Sequence, residues 1–463
     1  MVKQTTPVKK NETITLRFED LTHEGNGVGK INGYPLFVPN VLPGEEAIVK
    51  IVKVNKNFGF GKLMELTKSS PERVEPTCHV HCGGCQLQHM SYKLQLDMKQ
   101  NQVKNVMKKV AHLPHVPIHP IMGMEHPYHY RNKVQVPVGE KNGELIVGYY
   151  QKRSHRIVEN MDTCSIQAET INEILPVVRQ LANQLGIEPY QEENHRGDLR
   201  HIMIRTGHAT NDVMIVLVTR TNRLPNKDVL IDELTRRFPQ IKSIVQNVNE
   251  KRTNVILGEK TKVLWGETYI YDKIGDITFA ISAKSFYQVN PIQTKVLYDK
   301  ALEFANIGSD DVVVDAYCGI GTISLFLAQK AKKVYGIEVV PDAIADAKKN
   351  AALNGITNVE FTVGQAEKVM PKWKEQGLTP DVIVVDPPRK GCEADFLQAM
   401  IDMEPQRIVY VSCNPSTLAR DLRILEDGGY VTKEVQPVDM FPSTNHVEAV
   451  TWLEKRCRSI INT

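Results

Sequence analysis

The sequence lacks any run of apolar residues long enough to cross a membrane, and no apolar segment resembling a secretory signal follows its N-terminus. It also contains no internal repeat and no low-complexity segment, so repeat architectures and fibrous proteins are excluded. We therefore expect a globular, cytoplasmic protein. In that reducing compartment its eight cysteines are expected to be ligands, nucleophiles or packing residues rather than disulfides.

The chain has little net charge, only +3, but that charge is unevenly distributed. Residues 1–133 contain 18 Lys and Arg against 11 Asp and Glu, a net charge of +7, while the remainder carries −4. Eight of the 14 histidines also fall between His79 and His129. Residues 1–133 therefore form a basic N-terminal region, called the basic front below, joined to a nearly neutral remainder. Such a region either binds a polyanion or is a solvated surface that happens to be basic.

At 463 residues the chain is too long for one hydrophobic core, and the changes in sequence pattern along it predict three domains. Within the first, 1–67, short alternating runs broken by Gly and Pro predict a barrel of about five strands, either an RNA-binding module or a passive spacer. The second, 68–280, mixes strands and helices as an α+β domain. It includes a basic helix at 92–112 that is a candidate to pack on the third domain, 281–463.

The third domain alternates strands with helices from Pro291 onward, which predicts an α/β fold with a doubly wound, Rossmann-like parallel sheet. DAYCGIGT (315–322) follows a strand and opens a helix, so its two glycines allow a ligand to approach the backbone. Ser324 replaces the third glycine of a dinucleotide motif, and Glu338 ends the next strand, where it can accept ribose hydroxyls. The pattern suits a nucleoside without a pyrophosphate, such as S-adenosylmethionine, or a plain glycine turn.

Three further segments of this domain place reactive side chains at strand ends. Cys413, in YVSCNPST, follows an apolar strand where open α/β sheets form their ligand crevice, whereas a structural cysteine belongs inside the strand. Asp386, in VVDPPRKG, precedes two prolines that stop its strand sharply. His446 and Glu448 begin another strand, in FPSTNHVEAVTWL.

Taken in order along the chain, five motifs resemble the RNA uracil-5 methyltransferases, whose members act on large-subunit ribosomal RNA or on tRNA. These motifs are FYQVNP (286–291), DAYCGIGT, DPPRKG, VSCNP and FPSTNHVE. Residues 12–66 are also similar to the TRAM domain, an OB-like barrel, of that family. The resemblance implies the following roles: S-adenosylmethionine binding by Gln288, Tyr317, Glu338 and Asp386, nucleophilic attack by Cys413, and proton removal by Glu448.

The chemistry of that family explains why these residue types are needed. Uracil C5 is a poor nucleophile, but addition of a thiolate to C6 makes C5 enolate-like and able to attack a sulfonium methyl group. A carboxylate must then remove the C5 proton before the thiol can leave. The target base must be unpaired or flipped out of its helix. RNA 5-methylcytosine enzymes are a near alternative, but no cysteine here follows a proline as their motif requires.

The expected substrate is a structured loop of 23S ribosomal RNA, bound by a monomer. Methylation of tRNA is an alternative, and a non-catalytic RNA-binding protein that has kept the fold is a second one. Cys413 and Glu448, both present, argue against the latter.

A cysteine cluster lies outside this chemistry. Its members are Cys78, Cys82, Cys85 and Cys164. Three close thiols and one distant thiol can hold an iron–sulfur cluster or a tetrahedral zinc, and the C-x3-C-x2-C spacing is also that of radical S-adenosylmethionine enzymes. CGGCQLQH resembles the members of the methyltransferase family that carry a [4Fe-4S] cluster, which implies these four ligands, with His79 or His81 as substitutes for Cys78.

Overall fold

A computed structural model of the chain describes residues 6–80, 82–152, 154–158 and 163–456. The first part is a closed barrel in which the strands follow the order β1-β2-β3-β5-β4. Its strands are β1 (Thr13–Leu21), β2 (Gly27–Ile31), β3 (Tyr34–Val38), β4 (Glu46–Val54) and β5 (Gly59–Lys68). Alternate residues such as Leu36 and Val49 fill its interior with no exposed area. A Cβ at Gly61 would lie 2.3 Å from Cγ1 of Val49, so glycine is required at this position, where β5 pairs with β4. The predicted five-stranded barrel is confirmed.

Helix α1 (Tyr92–Lys109) follows the barrel, and the side chain of Ser91 caps it by accepting a hydrogen bond from the Leu94 amide at 3.1 Å. The inner face of α1 packs against α9 and β19, two elements of the last sheet (bounds below). Val110, which the helical pattern places on the apolar face, is instead 42% exposed, because the helix has ended and the chain turns away.

The central part is a six-stranded mixed sheet in the order β11-β10-β9-β8-β6-β7, followed by a separate hairpin. Its elements are β6 (Lys133–Lys141), β7 (Glu144–Val147), α2 (Glu169–Gln184), β8 (Leu199–Thr206), β9 (Val213–Thr219), α3 (Lys227–Arg237), β10 (Ile241–Val248) and β11 (Lys260–Gly266), with β12 (Ile270–Ile274) and β13 (Ile277–Ile281) in the hairpin. Helices α2 and α3 bury their apolar faces against this sheet in one core, as the α+β expectation requires.

The last part is a seven-stranded sheet in the order β16-β15-β14-β17-β18-β20-β19. Its elements are α4 (Pro291–Ala305), β14 (Val312–Ala316), α5 (Thr322–Ala328), β15 (Lys333–Glu338), α6 (Pro341–Leu353), β16 (Val359–Val363), α7 (Ala366–Glu375), β17 (Val382–Val385), α8 (Ala394–Met403), β18 (Arg407–Ser412), α9 (Pro415–Asp427), β19 (Tyr430–Val438) and β20 (Glu448–Lys455). The five strands from β14 to β18 are parallel, as predicted from their alternation with helices. One strand differs from that expectation: β20 inserts between β18 and β19 and runs antiparallel to both.

In the part of the chain that the structure describes, no helix combines the length and the apolar character needed to span a bilayer.

Candidate functional site

The carboxyl ends of the parallel strands bring the predicted side chains to one edge of the last sheet. Ala316 of β14 is in register with Ile337 of β15 and Val385 of β17, and Val385 is in register with Tyr410 of β18. The residues that follow these strands therefore begin side by side at the crevice of an open α/β sheet.

The turn between β14 and α5 has the backbone geometry of a ligand-binding loop. Tyr317 has φ +67°, an unusual value for an aromatic residue and a strained one. Gly321 has φ +82° and leaves no room for a side chain, since its Cβ would lie 3.0 Å from the ring of Phe361. The Gly319 amide donates to the Glu338 carboxylate at 3.2 Å, which ties this turn to the end of β15.

Asp315 lies below the turn and carries an unused acceptor. Its Oδ2 accepts a hydrogen bond from the Ser324 hydroxyl at 2.5 Å, while Oδ1 is buried and has no partner among the described residues. Burial, together with the nearby charge of Asp386, raises the pKa of Asp315 to about 7 against the Ser324 hydrogen bond. The serine in place of a third glycine is thus explained, because its hydroxyl holds this carboxyl.

Gln288 lies beside the crevice on the segment that leads into α4. It is buried, and its backbone carbonyl accepts a hydrogen bond from the Asn132 side chain at 3.1 Å. Asn290 caps α4 by accepting from the Gln293 amide at 3.1 Å, as expected from Asn-Pro. Phe286, two residues before Gln288, is 64% exposed. This residue belongs to the motif FYQVNP, but the sequence pattern alone does not distinguish an exposed phenylalanine from a buried one.

Cys413 and Glu448 are brought together by the antiparallel insertion of β20. Glu448 is the first residue of β20, and its neighbour Ala449 is paired with Ser412, the last residue of β18. Glu448 is 3% exposed, whereas Cys413 is partly exposed. Of Cys318, Cys392 and Cys413, only Cys413 has this accessibility. A thiol and a carboxyl therefore lie next to the ends of two paired strands, at the same edge of the sheet, and the charge of Glu448 acts on the Cys413 thiol.

Electrostatic repulsion links these two groups to Asp386. Burial raises the pKa of the Cys413 thiol to about 12, with further contributions from the charges of Glu448 and Asp386 and an opposing one from Arg389. Burial, reinforced by Asp386, likewise raises the pKa of Glu448 well above its ordinary value. Burial raises the pKa of Asp386 to about 7. The site thus holds a cluster of groups that become more acidic when a cation approaches.

The DPPRKG and SCNP loops are locked to each other. The side chains of Asn414 and Thr417 both donate to the Arg389 carbonyl, at 3.1 and 3.3 Å. Asp421, fully buried on α9, accepts from the Tyr410 hydroxyl at 2.6 Å and from the Cys392 amide at 2.8 Å. These bonds fix the spacing between the strand that carries Asp386 and the strand that carries Cys413.

His446 lies at the same mouth, between Arg389 and the ring of Phe441. Its Nε2 is 3.5 Å from the Arg389 guanidinium, and its ring centroid is 6.2 Å from that of Phe441. Burial, with the positive charges of Arg389 and Lys99 as smaller causes, lowers the pKa of His446 to about 4. A histidine with so low a pKa is neutral at physiological pH.

A buried ion pair anchors the segment that precedes Glu448. The ammonium group of Lys99, on α1, donates to Asp439 at 2.6 Å and to the Phe441 carbonyl at 3.0 Å, and the side chains of both charged residues have no exposed area. The Tyr92 hydroxyl donates to the other Asp439 oxygen at 2.9 Å. This pair is not predictable from the sequence, since no local signal distinguishes Lys99 from the exposed lysines of the same helix.

The same segment is bound by the loop that follows Cys85. The amides of Gln86 and Leu87 both donate to the Ser443 carbonyl at 3.0 Å. The Ser443 amide in turn donates to the Gln95 side chain at 2.8 Å. The cysteine loop is therefore hydrogen-bonded to the chain segment that leads into Glu448.

The four cysteines of the predicted cluster line one cavity of about 470 Å³ between the barrel and the central part. All four are free thiols, and burial raises the pKa of Cys85 to about 12, with smaller contributions from the other three. His79 is exposed, and His81 lies outside the described residues. Among the described residues, no group of three or more His, Cys, Asp or Glu is arranged to hold a single metal ion.

Comparisons with known proteins agree with this geometry. A family model described as tRNA (uracil-5-)-methyltransferase matches residues 91–456, and a TRAM domain model matches residues 7–64. An RNA methyltransferase of Oceanobacillus iheyensis is 78% identical over 453 residues, which cover 98% of this chain and 99% of that protein. One of Halalkalibacterium halodurans is 60% identical over 456 residues, with coverage of 98% and 99%.

A solved structure is similar over nearly the whole chain. It is that of the Pyrococcus abyssi tRNA (uracil-54, C5)-methyltransferase in complex with S-adenosyl-L-homocysteine. The two chains are 29% identical with a TM-score of 0.77, over 95% of this chain and 99% of the other.

Proposed function

The chain belongs to the tRNA (uracil-5-)-methyltransferase family, and from this premise we propose that it methylates C5 of a uridine in 23S ribosomal RNA through a covalent cysteine adduct. Family membership makes it an S-adenosylmethionine-dependent RNA methyltransferase with a TRAM domain. The observation that supports the finer proposal is the strand register that places Cys413 and the buried Glu448 beside the paired residues Ser412 and Ala449, at the carboxyl edge of the sheet.

The residues of the crevice fit the cofactor. Asp315 offers a buried, unpartnered oxygen, and the turn at Gly319 allows close approach of a ligand to the backbone. We assign the contacts to the residues predicted from the sequence, namely Gln288, Tyr317, Glu338 and Asp386. When bound, S-adenosylmethionine supplies an electrophilic methyl group and a positive charge.

The side chains then have distinct roles. Cys413, as thiolate, adds to uracil C6, so that the C5–C6 double bond opens and C5 becomes nucleophilic. After methylation of C5, Glu448 removes the C5 proton, the double bond re-forms and the Cys413–C6 bond breaks. Burial raises the pKa of Cys413, and a positive charge that enters the site lowers it and so favours the thiolate. Arg389 already acts in that direction on the pKa of Cys413.

The barrel and the basic front supply the expected RNA contacts. Phe37, Phe58 and Phe60 form a partly exposed aromatic group on the barrel, with ring centroids 5.7–5.8 Å apart. Such rings stack on unpaired bases. Ribosomal RNA is proposed as substrate by analogy with members of the family that combine a barrel with a cysteine cluster. The second candidate is tRNA, which the Pyrococcus abyssi neighbour methylates according to its description.

We also propose that the four cysteines hold a [4Fe-4S] cluster. Four free thiols around one cavity suit an inorganic cluster, which is bound at its corners. A tetrahedral zinc ion, which thiolates hold at about 2.3 Å, is the alternative occupant of the same four cysteines. The role of the cluster is structural or in RNA binding, since it lies outside the crevice.

Two measurements test the proposed function. Mass-spectrometric mapping of 5-methyluridine in total RNA, from cells with and without the protein, should show loss at a 23S position; loss from tRNA alone would select the second candidate.

In vitro, Cys413→Ala should reduce activity by several orders of magnitude. Glu448→Gln should transfer methyl but stall before elimination, which traps protein on RNA in a denaturing gel. Normal turnover by Cys413→Ala would overturn the covalent mechanism.

A further inference from the structure

A second cavity lies next to the reaction centre and belongs to no role assigned so far. It is a cleft of about 370 Å³ with a mixed polar and apolar lining, between the β1–β2 turn of the barrel, α1 and the start of α9. Ser416 of α9 lines it, and this residue is three positions after Cys413. Three residues of chain span at most about 11 Å, so the cleft lies within reach of a nucleotide adjacent to the target.

The lining of the cleft is rich in groups that read base edges. Asn101, Gln102 and Asn105 come from successive turns of α1, and Gln102 Oε1 is buried without a hydrogen-bond partner among the described residues. Carboxamides pair with adenine edges, and carboxylates accept from the amine of cytosine. The volume is in the range of small-ligand sites.

The charge of the cleft argues for a base rather than a phosphate. Asp20 of β1 and Asp97 of α1 both line it. Asp97 is also paired with the exposed Lys93 at 2.8 Å, so the two carboxylates repel a phosphate only weakly, but both can accept hydrogen bonds from an exocyclic amine. Leu21, Met98 and Val106 supply the apolar part of the wall, against which a base can pack.

We propose that this cleft binds an unpaired adenine or cytosine of the RNA substrate that flanks the target uridine. The inference rests on the proposed function for the position of the uridine. It adds a specificity site built by three parts of the chain, so that the barrel, α1 and the loop of Cys413 read one RNA together. A uracil in the same place has no exocyclic amine to donate to the carboxylates.

The test compares wild type with the double variant Asn101→Ala/Asn105→Ala. Both asparagines are exposed on a helix, where alanine is the better helix former, so the variant is expected to fold. The probe is a stem-loop cut from the RNA that the wild-type protein retains from a total-RNA extract. A set of such stem-loops carries, one loop position at a time, an abasic nucleotide or the deaminated base, inosine for adenosine or uridine for cytidine.

For wild type, one position beside the target uridine should lose about 10- to 100-fold in affinity on either replacement. The double variant should bind the intact stem-loop about as weakly as wild type binds the altered one, and the replacement should cause no further loss. Affinity for S-adenosylmethionine should be unchanged. Lys104→Ala is the matched control, since Lys104 is exposed on the same helix and does not line the cleft. The affinity of Lys104→Ala, relative to that of wild type, should fall by the same factor for all probes.

The proposed role of the cleft would be overturned if the double variant bound every probe as tightly as wild type does. It would also be overturned if, at every position, the loss of affinity from the RNA replacement multiplied the loss from the double variant. Losses on abasic probes without any loss on deaminated ones would overturn the preference for an amine-bearing base. The binding measurement needs no methyl transfer. The wild-type protein could therefore show the expected loss of affinity at one position, absent in the double variant, and yet methylate no uridine. That result would support the base-binding cleft and overturn the proposed function.

Discussion

Replacing Lys99 by methionine should destabilise the catalytic part of the protein and displace the segment that carries Glu448. Lys99 and Asp439 are both fully buried, and removal of one partner of a buried pair leaves an uncompensated charge at a cost of about 3–5 kcal/mol. The Tyr92 hydroxyl and the Phe441 amide still donate to Asp439, at 2.9 and 3.2 Å. These two hydrogen bonds offset part of the cost, so we expect a value near the lower end, about 3 kcal/mol.

The assay is urea unfolding of the full-length chain, followed by tryptophan fluorescence, with Lys93→Met as control. Lys93 lies on the same helix, is exposed and pairs with Asp97, so its loss should change stability by less than about 0.5 kcal/mol. The double variant Lys99→Met/Asp439→Asn should recover at least half of the loss, because the orphaned charge is gone while an acceptor remains for Tyr92. Equal stability of the two methionine variants would refute the reasoning, and so would a double variant as unstable as Lys99→Met.

The remaining predictions concern pH, the cysteines and the barrel. Because burial raises the pKa of Asp315 to about 7, the folded state binds the extra proton, and the stability contributed by this group should fall as pH rises from about 4 to 7. The stability difference between wild type and Asp315→Asn, measured by urea unfolding at several pH values, should follow that direction; a difference independent of pH would contradict it. Anaerobically purified protein should be brown, with about four irons per chain, and Cys164→Ser should bleach it; a colourless protein with one zinc would exclude the iron–sulfur proposal. Phe37→Ala/Phe60→Ala should raise KM for a long structured RNA more than for a short uridine loop and leave S-adenosylmethionine affinity unchanged; equal losses on both RNAs would indicate a barrel that only stabilises the fold.

Local patterns were sufficient for most of the architecture. The alternation of apolar strands with helices after Pro291 predicted the five parallel strands. The barrel, the fold class and the family resemblance are confirmed. The roles of the individual site residues, the monomeric state and the cytoplasmic location remain predictions.

What the sequence could not predict depends on pairing between distant segments. The antiparallel insertion of β20 leaves no mark in its own residues, since a strand reads the same whichever neighbour it pairs with. Lys99 has the sequence context of a surface lysine, and only the tertiary partner Asp439 makes it a buried one. Val110 fits the helical periodicity but is exposed, because periodicity does not fix where a helix ends.

The bonds that anchor the segment before Glu448 join residues that the ribosome produces far apart in time. Lys99 and Asp439 are 340 positions apart, and the amides at 86 and 87 are made long before the Ser443 carbonyl to which they donate. Contacts of such long sequence separation form late in folding. During synthesis, the barrel and the central sheet can fold while the last strands are still unmade, but the catalytic loop has no anchor until nearly the whole chain has emerged. A nascent or prematurely terminated chain is therefore expected to bind RNA before it can modify it.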